Sequence, residues 1–379
     1  MTAADSKYMC DGWIVRQRRH AGTGLQSRGS TTTLDLNRAA DDEEKLLTRV
    51  AVLQSVVKPN SRTNPFAELL VSNLPTYIES EWFSWRTALF GKFDVLHFQW
   101  PENLVRAPHP AKAALKRAAL RHVLRRARRM HAKTIVTIHN LSPHESMSRA
   151  ECSTLDRVYD SAAAFVALND TDSLTGYPVK PIYVIPHGDY RQKYARRAET
   201  ARVDGRLVYF GAIRDYKNVP GLVAAFREAS VTDSSLSLVV AGKPWNESTH
   251  RAIEESAATA PVSLMLSELE EEDLVNVICT AQVVVLPYGQ LYNSGSIFLA
   301  LTLGVPVLVP RTPSTESLRR ELGDRWVMLF DGPLTAAHLS RAIALTESAP
   351  PVDSLDLSMR DWTHIGADYG RLYRSVAGN

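Results

Sequence analysis

The sequence predicts an α/β protein made of two doubly wound parallel-sheet domains. Three observations lead there. Short β-branched runs alternate with stretches of helical apolar spacing from about Arg49 onward. The rhythm breaks once, over Gly188–Asp204, where charges cluster at Arg191–Arg197, and restarts at Arg206. At 379 residues the chain is also long enough for two cores of ordinary size.

Composition narrows the class. Hydrophobic residues make up 45% and aromatics 8%, as in soluble globular proteins, and no apolar run reaches the roughly 18–20 residues a membrane helix needs. Lys and Arg outnumber Asp and Glu by only 44 to 41, so the distribution of charge says more than its sum. Cys10, Cys152 and Cys279 are odd in number and match no metal pattern, and the N-terminus lacks a signal-peptide core. Both point to the cytoplasm. Residues 1–47 mix Gly, Ser and Thr with scattered charges and are expected to be a disordered leader.

The first domain is expected over 48–190. Val50–Val57 reads as its first strand. Asn64 then caps a helix with Pro65 at the first position, running through Ala67–Asn73. Phe93–Gln99, Thr134–His139, Ala163–Leu168 and Ile182–Ile185 read as further strands. A linker over 191–204 leads to a second domain, 205–360. There Leu207–Phe210 and Leu236–Ala241 are strands, Glu271–Thr280 and Thr335–Glu347 are helices, and Trp326–Phe330 closes the sheet. Within it, Leu286–Pro310 runs from a strand through the polar loop Gly289–Gly295 into an apolar helix and on to another strand. Such a turn offers backbone N–H groups to an anion. Residues 361–379 carry apolar positions spaced for a final helix.

Candidate functional residues collect at strand ends. His97, His139 and His187 lie at or just beyond the C-terminal ends of predicted strands, with Glu102 and Glu145 close behind. Ligands of open α/β sheets bind along that edge. Asp170-Thr171-Asp172 has the letters of a metal motif, but it sits at a helix start, where Asp is a common cap. No metal and no other cofactor is expected. Lys112–His131 holds Lys112, Lys116, Arg117, Arg121, Arg125, Arg126, Arg128 and Arg129 without an intervening acid. Leu115, Leu120, Val123, Leu124, Ala127 and Met130 keep a helical apolar spacing through it. This basic amphipathic helix suits an anionic membrane surface, which would make the protein peripheral at the inner face of the plasma membrane. It lacks the interleaved aromatics that nucleic-acid binding would call for.

Phe210–Asn218 (FGAIRDYKN), Val184–Gly188 (VIPHG), Thr137–Asn140 (TIHN) and Asn293–Pro306 (NSGSIFLALTLGVP), within two α/β halves, resemble the GT-B glycosyltransferases over about residues 48–379. The likeness is to the family-4-like group and to the β-mannosyltransferases of bacterial exopolysaccharide assembly. It implies two Rossmann-like domains facing across a cleft, with the last helix returning to the first domain. It implies a donor, GDP-mannose or a UDP-sugar, held by the second domain, and a lipid-linked or polysaccharide acceptor held by the first. By position, Gly211, Arg214 and Lys217 with Asn293, Ser294, Gly295 and Ser296 would bind the donor, and Asn64 and Trp100 would lie on the acceptor side. Fixed cations and helix N–H groups can stabilise a departing diphosphate without a metal.

The resemblance departs at one point. Many retaining members carry two glutamates where this chain has about Leu291 and Leu299. An inverting mechanism is therefore expected, with a base drawn from Glu102, His139 and Glu145. Glu102 is preferred as base, and His139 is assigned to the donor sugar or phosphate. A sugar-nucleotide epimerase of the same fold and a non-catalytic binding module are the alternatives.

Overall fold

The computed structural model describes residues 49–59, 64–140, 147–169, 177–194, 200–258, 260–289, 291–348, 350 and 354–378. The expected leader, Glu145 and Asp170–Asp172 lie outside the described residues. The chain divides into two compact units. One runs to Pro186 and resumes at Trp362; the other spans His187–Asp361.

In the first unit the elements follow in the order β1 (Val50–Gln54), α1 (Phe66–Ser72), β2 (Ile78–Glu81), α2 (Trp85–Phe90), β3 (Val95–Phe98), α3 (Glu102–Val105), α4 (Pro110–Arg129), β4 (Lys133–Ile138), α5 (Arg149–Ser161), β5 (Ala162–Ala167) and β6 (Ile182–Val184). The six strands are parallel in the order β2-β1-β3-β4-β5-β6. The winding reverses between β1 and β3, so ligand-facing loops are expected after those two strands. Val95, Leu96 and Phe98 of β3 are all fully buried, as a central strand covered on both faces requires.

The second unit contains β7 (Arg206–Phe210), α6 (Val219–Thr232), β8 (Ser237–Ala241), α7 (Glu247–Ala257), β9 (Val262–Met265), α8 (Glu271–Cys279), β10 (Val283–Val285), α9 (Gly295–Thr302), β11 (Val307–Pro310), α10 (Pro313–Leu322), β12 (Val327–Phe330) and α11 (Ala336–Leu345). Its parallel sheet has the order β12-β11-β10-β7-β8-β9, the Rossmann arrangement with its reversal between β7 and β10. The sequence reading anticipated neither β2 nor β9. Each is a short strand at the edge of its sheet, IESE and VSLM, with too little continuous apolar character to stand out.

The last helix, α12 (Trp362–Ala377), belongs to the first unit, as the resemblance implied. Trp362 meets Phe66 of α1 edge to face at 5.2 Å. Two glycines let the helix sit close. A Cβ at Gly366 would stand 2.0 Å from the carbonyl oxygen of Asn73, and one at Gly370 would stand 2.7 Å from the Pro75 ring. The Tyr373 hydroxyl lies 2.6 Å from His97 Nδ1, and Thr137 Oγ1 is 2.8 Å from His97 Nε2 and 3.3 Å from the Tyr369 hydroxyl. His97 is thus a buried clamp for α12 rather than a ligand-facing residue, although it occupies a strand end.

The basic helix forms as expected, entered by Pro110 and closed by Arg126, Arg128 and Arg129, whose charges suit a helix C-terminus. Its packed side is Ala113, Leu120, Val123, Leu124 and Ala127. Leu115, expected on the apolar face, is instead 70% exposed.

Candidate functional site

The loops leaving β7 and β10, neighbours at the reversal of the second sheet, carry the residues expected to hold a diphosphate. Gly211 follows β7 with φ +105°, a conformation that favours glycine. Next to it two of the expected donor-binding groups converge. A point one Cβ bond from Gly211 lies 3.8 Å from Lys217 Nζ and 3.7 Å from Ser296 Oγ. The two loops are tied by the Gly289 N–H, which donates to the Tyr216 carbonyl at 2.8 Å. Lys217 is 9% exposed, and no ion pair to it is found among the described residues. Its ammonium stands 4.9 Å from the centre of the Tyr288 ring. A buried ammonium resting on a ring face has the charge and the desolvation that suit an anion.

Arg214 is reached by a different route. Gly242, at the end of β8, comes so near that a Cβ there would be 2.1 Å from the Gly211 carbonyl oxygen. The β7 and β8 loops therefore run side by side. Ile213 N–H donates to Lys243 O and Trp245 N–H to Ile213 O, both at 2.9 Å. This register lays the Trp245 indole under Arg214, with the guanidinium carbon 4.0 Å from the ring centroid. Trp245 is 62% exposed. No local pattern marks Trp245, because its place beside Arg214 comes from the pairing of two separate loops.

Helix α9 completes the group. Ser294 is its cap in extended backbone, and its side chain makes no capping hydrogen bond. The first N–H groups of a helix have no intrahelical acceptor and carry the positive end of the helix dipole. Gly295 is closely approached: a Cβ there would fall 2.6 Å from the Tyr190 hydroxyl, which would have to shift. Beneath it the His187 ring stacks on Phe298 at 4.8 Å and 14°. Arg360 lies over Phe298 at 4.5 Å, forms two bonds to Glu321 at 2.8 and 2.6 Å, and donates to the His187 carbonyl at 3.0 Å. Burial lowers the His187 imidazole to about 4, so it is neutral at pH 7. His187 and Tyr190 support α9 from below. Asn293 Oδ1 is buried and has no hydrogen-bond partner among the described residues, an acceptor suited to a ligand hydroxyl rather than to a phosphate oxygen. Leu291 and Leu299 are both buried apolar residues, so no carboxylate stands at either place.

In the first unit the C-terminal edge holds a ring cluster. His139, just past β4, stacks on Trp100 at 4.1 Å and 22°, meets Phe66 edge to face at 5.0 Å, and places Nε2 2.9 Å from Gln99 Oε1. Because Gln99 Oε1 can only accept, Nε2 carries the proton in this pairing. Asn64 is taken up locally: its side-chain oxygen accepts from the Phe66 N–H at 2.9 Å, but α1 starts one residue later than expected, so Pro65 and not Asn64 is the N-cap. Glu102 opens α3 directly after the β3 loop. Burial raises its carboxyl above the usual range, against the pull of its own helix N–H and of Arg106. A half-buried carboxylate with a raised pKa at a strand-end loop has the properties of a general base.

No family model matches the chain. Among curated proteins it is 36% identical over 333 residues to a GDP-mannose:glycolipid 4-beta-D-mannosyltransferase of Xanthomonas campestris pv. campestris, a match covering 87% of this chain and 93% of the relative. Solved structures agree on the fold. A sucrose-phosphate synthase from Thermosynechococcus elongatus aligns with TM-score 0.59 at 13% identity over 86% of this chain and 99% of its own. The catalytic domain of starch synthase IV from Arabidopsis thaliana aligns with TM-score 0.57 at 10% identity over 88% and 100%. Identity of this extent over nearly the whole of both sequences, on this fold, decides between transfer and the two alternatives: the chain belongs to the same family as the Xanthomonas mannosyltransferase and is a GT-B glycosyltransferase acting on a nucleotide sugar.

Proposed function

We propose that the protein transfers mannose from GDP-mannose to a lipid-linked acceptor, with inversion and without a metal. The observation that carries this reading is the convergence of Lys217 Nζ and Ser296 Oγ beside Gly211 at the sheet reversal. Together with Arg214 and the α9 N-terminus, these groups would neutralise the charge that develops on a departing diphosphate. The donor and acceptor classes come from the relative's printed name. Inversion follows from chemistry: a β-linked product from an α-linked donor requires one in-line displacement. It is consistent with leucine at positions 291 and 299. In this reading Glu102 takes the proton from the acceptor hydroxyl, and Trp100 and His139 form the apolar wall of the acceptor side.

The acceptor's lipid would bring the protein to a membrane. Helix α4 supports that, with Lys112, Arg125, Arg128 and Arg129 exposed along it. Phe90, 79% exposed, adjoins Gly91, whose carbonyl accepts from Arg126. Each basic residue near an anionic surface contributes about 1 kcal/mol. No helix among the described residues is long and apolar enough to cross a membrane.

The test is to incubate the protein with GDP-, UDP- and dTDP-hexoses and a lipid-linked oligosaccharide in the presence of a chelator. A β-linked mannosyl product formed only with GDP-mannose is expected. An α-linked product, or activity only when metal is restored, would overturn the mechanism.

A further inference from the structure

Six of the eight basic residues of α4 fall into two sets. Lys116 donates to the Arg106 carbonyl at 3.1 Å, Arg117 to the Val105 carbonyl at 3.4 Å and Arg126 to the Gly91 carbonyl. These three hold neighbouring backbone. Arg121, Arg125 and Arg128 do not. With Arg157 of α5 they line a cleft of ≈ 200 Å³ between the two helices, completed by Leu124, Asp160 and Ser161. Among the described residues none of these four arginines makes an ion pair.

We propose that this cleft is a phosphate-binding site, taking a phosphomonoester or diphosphate from either a lipid headgroup or a free phosphate compound. Charge is the first argument. Four guanidinium groups face one carboxylate and two helix C-termini worth about half a negative charge each, leaving about +2. Geometry is the second. Guanidinium groups bind phosphate oxygens in pairs through parallel N–H donors, whereas the Ser161 hydroxyl is already given to the Val158 carbonyl at 2.7 Å and leaves the donors to the arginines. Shape is the third: the four charges line one cleft together with Leu124, so they can gather around one small anion.

The cleft lies apart from the site described above. Arg121–Arg128 and Arg157–Ser161 are the C-terminal halves of helices that lead into β4 and β5. They therefore lie towards the N-terminal ends of those strands, whereas Glu102, Trp100 and His139 follow C-terminal ends. An anion held here serves to anchor or regulate the protein. The site is independent of the donor assignment and of the chemistry of transfer.

The test uses the full chain carrying Lys217→Ala, which removes the ammonium of the donor site. Inorganic pyrophosphate titrated calorimetrically should show one saturable site, weakened at least tenfold by Arg125→Gln with Arg128→Gln. Arg227→Gln with Arg341→Gln, an equal change of charge elsewhere, should leave it unchanged. Vesicles of phosphatidylcholine doped with phosphatidic acid or phosphatidylserine separate the sources. Retention on phosphatidic acid that pyrophosphate competes away assigns a headgroup; pyrophosphate binding without such retention assigns a free phosphate compound. Absence of a saturable site, or equal loss in the charge-matched control, would overturn the proposal. Binding of GDP to the wild-type chain, measured alongside, reports on the donor site separately.

Discussion

Lys217 and Tyr288 face each other across the reversal of the second sheet, ammonium to ring centre at 4.9 Å, one on the loop after β7 and the other on the loop after β10. The pairing explains how a lysine can be 9% exposed without a carboxylate beside it. It also sets stability against function. Lys217→Ala should weaken GDP binding by about 1.5–3 kcal/mol, the range for charged hydrogen bonds, or roughly tenfold to 150-fold. The melting temperature should stay level or rise, because an unpaired buried charge is removed. Calorimetry and thermal unfolding measure the two effects. A lowered melting temperature with unchanged GDP affinity would make Lys217 a structural residue.

Trp245 is predicted to act through Arg214. Trp245→Ala removes the surface on which the guanidinium rests, and exposed cation–π contacts contribute about 0.5–1 kcal/mol, more when desolvated. Donor affinity should fall about two- to fivefold, and Trp245→Phe should recover part of it. In Arg214→Ala the second substitution should add nothing, so a double-mutant cycle in GDP affinity decides. Additive losses would separate the two residues.

How much of this was legible depends on sequence distance. The strand–loop–helix turn before α9 could be read directly because its parts follow one another within a few residues, and Arg214 and Lys217 follow a strand in the same way. The three strand-end histidines could not be sorted. His139 joins Trp100 at the sheet edge, His187 supports α9, and His97 lies under the last helix. His97's partner Tyr373 is 276 positions away, beyond any local pattern. Trp245 was missed for the same reason: its role follows from Gly242 meeting Gly211, a contact between loops that no periodicity records.

Burial gives His97 a pH signature. The folded chain holds its imidazole at about 3, against 6.5 when unperturbed. Between these values the unfolded chain binds the additional proton, so stability is complete above about pH 6.5 and falls as pH drops towards 3. At pH 5 the loss should be about 2 kcal/mol at about 1.4 kcal/mol per unit. His187, lowered to about 4, adds in the same direction. His97→Gln should be less stable at pH 7, having lost the Tyr373 contact, yet show a smaller drop between pH 7 and 5 in urea midpoints. An unchanged drop would show that His97 titrates normally.

Glu102→Gln separates catalysis from binding. GDP affinity should be unchanged, while transfer falls at least 100-fold, the lower range for loss of a general base. In the wild type the acid limb of kcat should lie above the usual carboxylate range, since burial raises the Glu102 pKa. Stability at pH 7 should not fall, because the amide needs no charge desolvated. Normal turnover in this variant would pass the base to another group.

The close seat of α12 offers the sharpest structural prediction. Exchanging glycine for alanine inside a helix ordinarily stabilises by about 1 kcal/mol. At Gly366 the sign should reverse. The added Cβ would stand 2.0 Å from the Asn73 carbonyl oxygen and 2.6 Å from its carbonyl carbon, and both are backbone atoms that no rotamer change can move aside. Gly366→Ala should therefore cost more than about 2 kcal/mol, at the upper end of overpacking. Trp362 fluorescence should shift to the red as its contact with Phe66 loosens. Gly370→Ala should cost less, because the nearest atoms belong to the Pro75 ring and the Tyr77 hydroxyl. Ser375→Ala, exposed on the same helix, should raise the melting temperature slightly. A Gly366→Ala chain that melts with or above the wild type would mean that α12 does not pack against Asn73, and the His97–Tyr373 clamp would lose its support.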